Sequence, residues 1–173
     1  MKILLIGGTG NLSEECVTEL EARGHELILL TRGRRGLATP HRRLHADYRD
    51  RDALEAVLGS EEFDVVLNFI GFTPAEVEAD IGLFGERIGQ YLFISSATVY
   101  AKPPRVLPLT EEAPLGNSHW DYARMKLECE RSLQRAHAEQ GFPATIVRPS
   151  HTFGRRWIPN PVSSGNFAFP ARM

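Results

Sequence analysis

Cysteine is scarce in this chain, and so is surplus charge of either sign. The 173 residues hold two cysteines, Cys16 and Cys129, far apart in sequence. That excludes a disulfide framework or a thiolate metal cluster and reads as reduced, half-buried packing residues. Lysine and arginine together number 20 against 22 acidic residues, for a net charge of −2. No electrostatic case arises for nucleic acid or for an anionic membrane surface. A basic stretch, Arg32, Arg34, Arg35, Arg42 and Arg43, is local, and Asp47, Asp50 and Asp52 offset it. No run approaches the roughly 20 apolar residues that a membrane-spanning helix needs. His25, His41 and His45 lack metal-ligand spacing and acidic partners, so no zinc site is expected. The apolar run after Met1 and Lys2 is too short for a signal peptide. The expectation is a cytoplasmic protein without membrane, metal or nucleic-acid partner.

What is present is the material of one folded domain, 42% hydrophobic and 24% charged. Apolar runs alternate with segments of helical period, which predicts an α/β fold with a parallel sheet. Strands are expected at 2–6, 26–30, 43–46, 64–70, 91–95 and 144–148. Between them, Leu12, Cys16, Val17 and Leu20 share a helix face that ends at Gly24. Leu54, Val57 and Leu58 mark a second helix. Thr73-Pro74-Ala-Glu76 is a capping box with proline at the first helical position, followed by Val77, Ile81, Phe84 and Ile88 at helical spacing. A long helix is predicted over 121–139. Residues 101–119, with Pro103, Pro104, Pro108, Pro114 and Gly116, form a loop long enough to be functional. Residues 149–173 carry aromatics at Phe153, Trp157, Phe167 and Phe169 without any period.

Gly7-Gly-Thr-Gly10-Asn-Leu-Ser13 joins the first strand to the first helix. Glycine at 7 and 10 lets the backbone turn tightly and approach a pyrophosphate, which the helix N-terminus stabilises. Gly7, Thr9, Gly10, Asn11 and Leu12 are therefore the candidate phosphate-binding residues. Ser13 stands where a third glycine would ease helix–strand packing. An acid at the end of the second strand favours NAD; here Leu30-Thr31-Arg32 offers none. Arg32 can pair with a 2′-phosphate, which points to NADP, with NAD as the alternative. A solvated basic loop is the plain reading of the same residues. Asp47 is placed either to accept from the adenine amino group or as a surface-turn aspartate.

Tyr122 and Lys126 lie one helical turn apart. An ammonium near a phenol favours the phenolate, one way to make a general base for an alcohol. Ser96, at the end of the fifth strand, reads either as a hydroxyl that steadies the charge developing on a reacting oxygen or as a strand-end serine satisfying its own backbone, and Tyr122 and Lys126 read equally as a solvated helix face. Arg148, before Pro149, reads equally as a structural ion pair or a substrate contact, and His119 as a loop residue or a substrate contact.

With Gly7/Gly10, Phe93-Ile-Ser-Ser-Ala-Thr-Val-Tyr100, Tyr122-x-x-x-Lys126 and Arg148-Pro149 in this order, the chain resembles the extended short-chain dehydrogenases/reductases. Within them it is similar to the NAD-dependent epimerase/dehydratase group. The resemblance implies a Rossmann-type doubly wound parallel sheet over residues 1–150, with 151–173 opening a substrate region of which most is lacking. It implies Tyr122 as general acid or base, Lys126 on the nicotinamide ribose, and Ser96 on the reacting oxygen. The backbone of Phe69, Ile70 and Gly71 lines the cofactor in the same reading. The implied activity is NAD(P)-dependent epimerase, dehydratase or reductase chemistry on a hydroxylated small molecule such as a nucleotide sugar, with a homodimer formed through the Tyr122 helix. The same motifs are open to a non-catalytic nucleotide-binding sensor or RNA-associated protein, and to a cofactor-binding fragment without turnover.

Overall fold

Ile3 to Ile6 are four successive apolar residues, and all four are buried in the first strand, β1 (Lys2–Ile6). Such uninterrupted burial requires cover on both faces of a sheet, the signature of parallel strands in an α/β protein. The computed structural model describes residues 1–33, 39–105 and 107–153. Arg34, Arg35, Trp157, Phe167 and Phe169 lie outside them, as does the side chain of Asn11.

From β1 the chain runs through α1 (Asn11–Ala22), β2 (Glu26–Thr31), β3 (Arg42–His45), α2 (Arg51–Leu58) and β4 (Phe63–Asn68). It continues through α3 (Pro74–Phe84), β5 (Ile88–Ile94), α4 (Asp121–Gln140) and β6 (Ala144–Val147). The sheet order is β3-β2-β1-β4-β5-β6, and every pairing is parallel. Strand order reverses between β1 and β4, and ligands of such sheets bind outside the carboxyl ends of the strands at that switch point. This is the parallel sheet that the alternation of runs predicts, in the Rossmann-type doubly wound order that the resemblance implies.

Side chains divide by strand parity. Leu4, Ile6, Ile28, Leu30, Val66, Tyr91 and Phe93 pack against Leu54, Val77, Phe84, Cys129 and Leu133 of α2, α3 and α4. Ile3, Leu5, Leu27, Leu29, Val65 and Leu67 face the other way, against Val17 and Leu20 of α1. Leu12, expected on the same helix face, is exposed at the helix start.

Two boundaries differ from expectation. Helix α3 stops at Phe84 because Gly85 takes φ +32° and a short 3-10 turn follows. Ile88 therefore opens β5 instead of extending the helix. Strand β4 stops at Asn68, whose side chain captures the amides of Ile70 and Gly71 and turns the chain out of the sheet. The capping box of α3 forms as predicted: Thr73 Oγ1 accepts from the Glu76 amide and Glu76 Oε2 from the Thr73 amide.

Candidate active site

Gly7 leaves β1 at φ +84°, where a Cβ would lie 2.5 Å from Ile70 Cγ2. The turn is thus closed to any side chain by the segment that follows β4. Ser13 fits at the third glycine position because its hydroxyl is used internally. Its Oγ accepts from the Gly10 amide at 2.8 Å and donates to the Gly7 carbonyl at 2.8 Å, stitching the loop to the first turn of α1. Gly10 is exposed, and a Cβ there would touch only Ser13 Oγ at 3.6 Å and the Gly7 carbonyl at 3.8 Å. The free helix N-terminus and this bare approach suit a phosphate.

A cleft of about 300 Å³ opens above the turn, lined by Gly7, Thr9, Gly10, Arg32, Asp47, Ile70 and Phe72. It collects residues from the ends of β1, β2, β3 and β4, as a dinucleotide site at the switch point requires. Tyr48 and Arg49 line it too; sequence reading missed both, although they directly follow Asp47. Phe69 packs instead with the α1-side core, and Gly71 is buried beneath the cleft wall.

The stretch after β4 is held amide by amide. Asn68 Oδ1 accepts from the Ile70 and Gly71 amides at 2.9 and 2.8 Å. Glu76 Oε2 accepts from the Phe72 and Thr73 amides at 2.8 and 3.0 Å. The Gly71 carbonyl then receives Lys126 Nζ at 2.7 Å, and the Ile94 carbonyl receives the same ammonium at 2.7 Å. Lys126 is 1% exposed. Its Nζ lies 4.7 Å from the Phe72 ring centroid and 4.6 Å from that of Phe93. Burial lowers its pKa to about 8, while Cys129, Glu76 and Glu130 pull the other way. An ammonium has three donors, so two carbonyls leave one for a ligand.

Tyr122 sits in the first turn of α4, its ring 4.9 Å from that of Trp120 and 6.0 Å from that of Phe72. Here the geometry corrects the expected electrostatics. Burial pushes the phenol up from its ordinary value, and the opposing influence is the Ser96 hydroxyl. The Lys126 ammonium stands 5.9 Å from the Tyr122 ring centroid. Ser96 begins a 3-10 turn over Ala97–Val99 that sequence reading missed, and its Oγ accepts from the Thr98 amide and hydroxyl at 3.2 and 3.0 Å. A second cleft, about 400 Å³, opens beside it, lined by Ser96, Thr98, Tyr100, Lys102, Ser150 and His151 among others.

Arg148 is engaged elsewhere. Its guanidinium spans both carboxylate oxygens of buried Glu130, which also accepts from Ser95 Oγ at 2.5 Å. The structural reading of Arg148 is the one its partners support. His119 is exposed and its amide donates to Asn117 Oδ1, while Asn117 Nδ2 donates to the Thr98 carbonyl, pinning the long loop to the Ser96 turn. The Cys129 thiol, pushed up to about 12 chiefly by burial, is a packing group. Among the described residues no three His, Cys, Asp or Glu side chains group to hold a metal, and no helix is long and apolar enough to cross a membrane.

Comparison with known proteins agrees with this fold. The UDP-glucose 4-epimerase of Bacillus subtilis is 28% identical over 183 residues, covering 89% of this chain and 53% of its own length. A chloroplast stem-loop binding protein of 41 kDa from Arabidopsis thaliana is 30% identical, covering 88% of this chain and 42% of its own. This chain thus spans about half the length of the curated relatives it matches. Among solved structures, UDP-glucose 4-epimerase from Bifidobacterium longum, in complex with NAD+ and UDP, superposes with a TM-score of 0.74 at 24% identity, covering 86% of this chain and 52% of that one. The dTDP-glucose 4,6-dehydratase from Bacillus anthracis, in complex with NAD, gives 0.76 at 18% identity, covering 90% and 56%. Residues 3–169 match the NAD dependent epimerase/dehydratase family, and the chain belongs to it.

Proposed function

We propose that the chain binds a nicotinamide dinucleotide across the β1/β4 switch point and supports reversible oxidation of a carbinol carbon, with Ser96, Tyr122 and Lys126 as its catalytic residues. The observation that carries this reading is the Lys126 cradle. One buried ammonium ties Gly71, beside the first cleft, to Ile94, two residues before Ser96 and the second cleft. When bound, the nicotinamide supplies hydride acceptance and return. Lys126 directs its remaining donor at the cofactor ribose. Ser96 donates to the reacting oxygen, and Tyr122 exchanges the proton with it. Tyr122 takes the hydroxyl proton when the carbinol is oxidised and gives it back when hydride returns; burial raises its pKa and so favours the phenol, the form that donates in the return step.

The substrate class in this reading is a hydroxylated small molecule, with nucleotide sugars first because the Bacillus subtilis relative is a UDP-glucose 4-epimerase. The cofactor reading keeps NADP through Arg32, exposed at the end of β2; the two solved structures named above are complexes with NAD. The test is Tyr122→Phe. It is expected to abolish oxidation of UDP-glucose and related nucleotide sugars, followed by nicotinamide absorbance, while the dissociation constant for NADH stays within about twofold. Retained turnover removes Tyr122 from the chemistry. Cofactor binding without turnover by the unaltered chain supports a cofactor-binding unit instead. A second reading, a nucleotide-binding protein acting on RNA, is favoured by the likeness to the stem-loop binding protein. Binding of a stem-loop RNA that persists in Tyr122→Phe and Lys126→Met would select it.

A further inference from the structure

Beneath the wall of the first cleft lies a polar cluster that the proposed chemistry does not use. Asp80 of α3 is fully buried, yet four donors converge on its carboxylate. Tyr48 and Tyr91 hydroxyls donate to Oδ2 at 2.8 and 2.6 Å, and Asn68 Nδ2 donates to the same oxygen at 2.7 Å. Arg51 Nη1 pairs with Oδ1 at 2.7 Å, while its Nη2 reaches the Glu76 carbonyl at 2.8 Å. A buried carboxylate is costly unless its lone pairs are met, so a cluster of this kind fixes its members in one arrangement.

Asn68 is the member with two ends. Its amide nitrogen lies in the Asp80 cluster, also within 2.8 and 3.0 Å of the Tyr48 and Tyr91 hydroxyls. Its oxygen holds the Ile70 and Gly71 amides. An asparagine amide free to rotate would present either atom to the backbone; with the nitrogen committed to Asp80, only the acceptor faces Ile70 and Gly71. Packing leaves no slack, since a Cβ on Gly71 would lie 3.1 Å from Asn68 Nδ2 and 3.2 Å from Phe93 Cε2. Asn68 thus holds Gly71 at its amide; the Gly71 carbonyl, in the next peptide, whose Phe72 amide donates to Glu76 Oε2, accepts from Lys126 Nζ.

We propose that Asn68 and Asp80 are positioning residues for Lys126: Asp80 orients the Asn68 amide, Asn68 anchors the Ile70 and Gly71 amides and so places the Gly71 α-carbon, and the Gly71 carbonyl that extends from it holds the ammonium in place. The inference rests on the reading of Lys126 given above. Charged and titratable groups that bear on the ammonium are Glu76 from α3 and Tyr122, Cys129 and Glu130 from α4. Tyr122, Cys129 and Glu130 stand outside the hydrogen-bonded path from Asp80 to Gly71; Glu76 touches it at both ends, through Arg51 and through the Phe72 amide.

The test is competitive amine labelling of the full chain between about pH 7 and 10, read at Lys126 by mass spectrometry with exposed Lys102 as internal reference. Asn68→Ala is expected to raise the labelling rate of Lys126 by roughly tenfold, because the Gly71 carbonyl is released and water enters. Asp80→Ala gives the same direction, and Asp80→Asn, which keeps shape and one acceptor, stays nearer to wild type. Leu54→Ala, a core cavity in α2, supplies a control of matched thermal destabilisation. If labelling in the Asn68 and Asp80 variants follows melting temperature as it does in Leu54→Ala, the positioning role is overturned. Should Asn68→Ala fail to fold, Asp80→Ala decides: Lys126 as protected there as in wild type overturns the proposal. A separate NADH titration of Lys126→Met distinguishes the two readings. Wild-type affinity there defeats the catalytic reading and leaves the labelling result standing.

Discussion

Lys126 keeps a positive charge where the protein gives it little water, and that has a thermodynamic signature. With a folded-state pKa of about 8 against an ordinary 10.5, the unfolded chain binds more protons than the folded one between those values. Unfolding free energy therefore rises with pH through that window, by about 3 kcal/mol in full. Cys129, Tyr48 and Tyr91 act oppositely at the upper end, because burial raises their pKa values and the unfolded chain releases those protons first. The clean observable is the difference between proteins. Wild type minus Lys126→Met, by urea denaturation at several pH values, is expected to rise from about pH 8 towards 10 by on the order of 2–3 kcal/mol. A flat difference would mean that the lysine is not desolvated. At neutral pH the methionine variant loses the buried charge but leaves two carbonyls unpaired, so its stability lies near that of wild type.

At the scale of elements, β5, β6 and α4 meet on one ion pair. Glu130 of α4 is fully buried and takes the Arg148 guanidinium that follows β6 and the Ser95 hydroxyl that follows β5. Arg148 also stacks 5.0 Å from the Tyr100 ring centroid. Removing one partner of a buried pair strands the other, so Glu130→Ala is expected to cost about 3–5 kcal/mol of stability by chemical denaturation. Glu130→Ala with Arg148→Met together should cost less than Glu130→Ala alone. Sequence pattern exposed the elements here but not the pair. The strands read as apolar runs, α1 as a glycine-ended helix and α3 as a capped one, because those signals are local. Glu130 looked like any helix-surface acid, since its partners are 35 and 18 residues away. The same holds for Asn68 and Asp80, whose meaning arises only when β4 and α3 pack. Ser96, Tyr122 and Lys126 were legible as a motif. Their electrostatics were not, because burial decides the direction of the Tyr122 shift and a four-residue spacing carries no information about burial.

On the scale of the whole molecule, the first cleft is the place where the two halves of the sheet are bridged. Gly7, Thr9 and Gly10 follow β1, Arg32 follows β2, Asp47 follows β3, and Ile70 and Phe72 follow β4. A ligand spanning these loops binds only the folded arrangement, so it stabilises the chain by mass action, about 2.7 kcal/mol at a roughly hundredfold excess over its dissociation constant. Thermal unfolding should therefore shift upward by several degrees with NADPH and with NADH. Arg32→Ala is expected to reduce the NADPH shift while sparing that of NADH, because only the 2′-phosphate calls on the guanidinium. Equal loss for both cofactors would move Arg32 from phosphate selection to general support of the cleft. Gly7→Ala should remove both shifts and lower the melting temperature itself. Its Cβ would meet Ile70 Cγ2 at 2.5 Å in a backbone conformation that favours glycine, pushing the wall of the cleft away from the glycine turn.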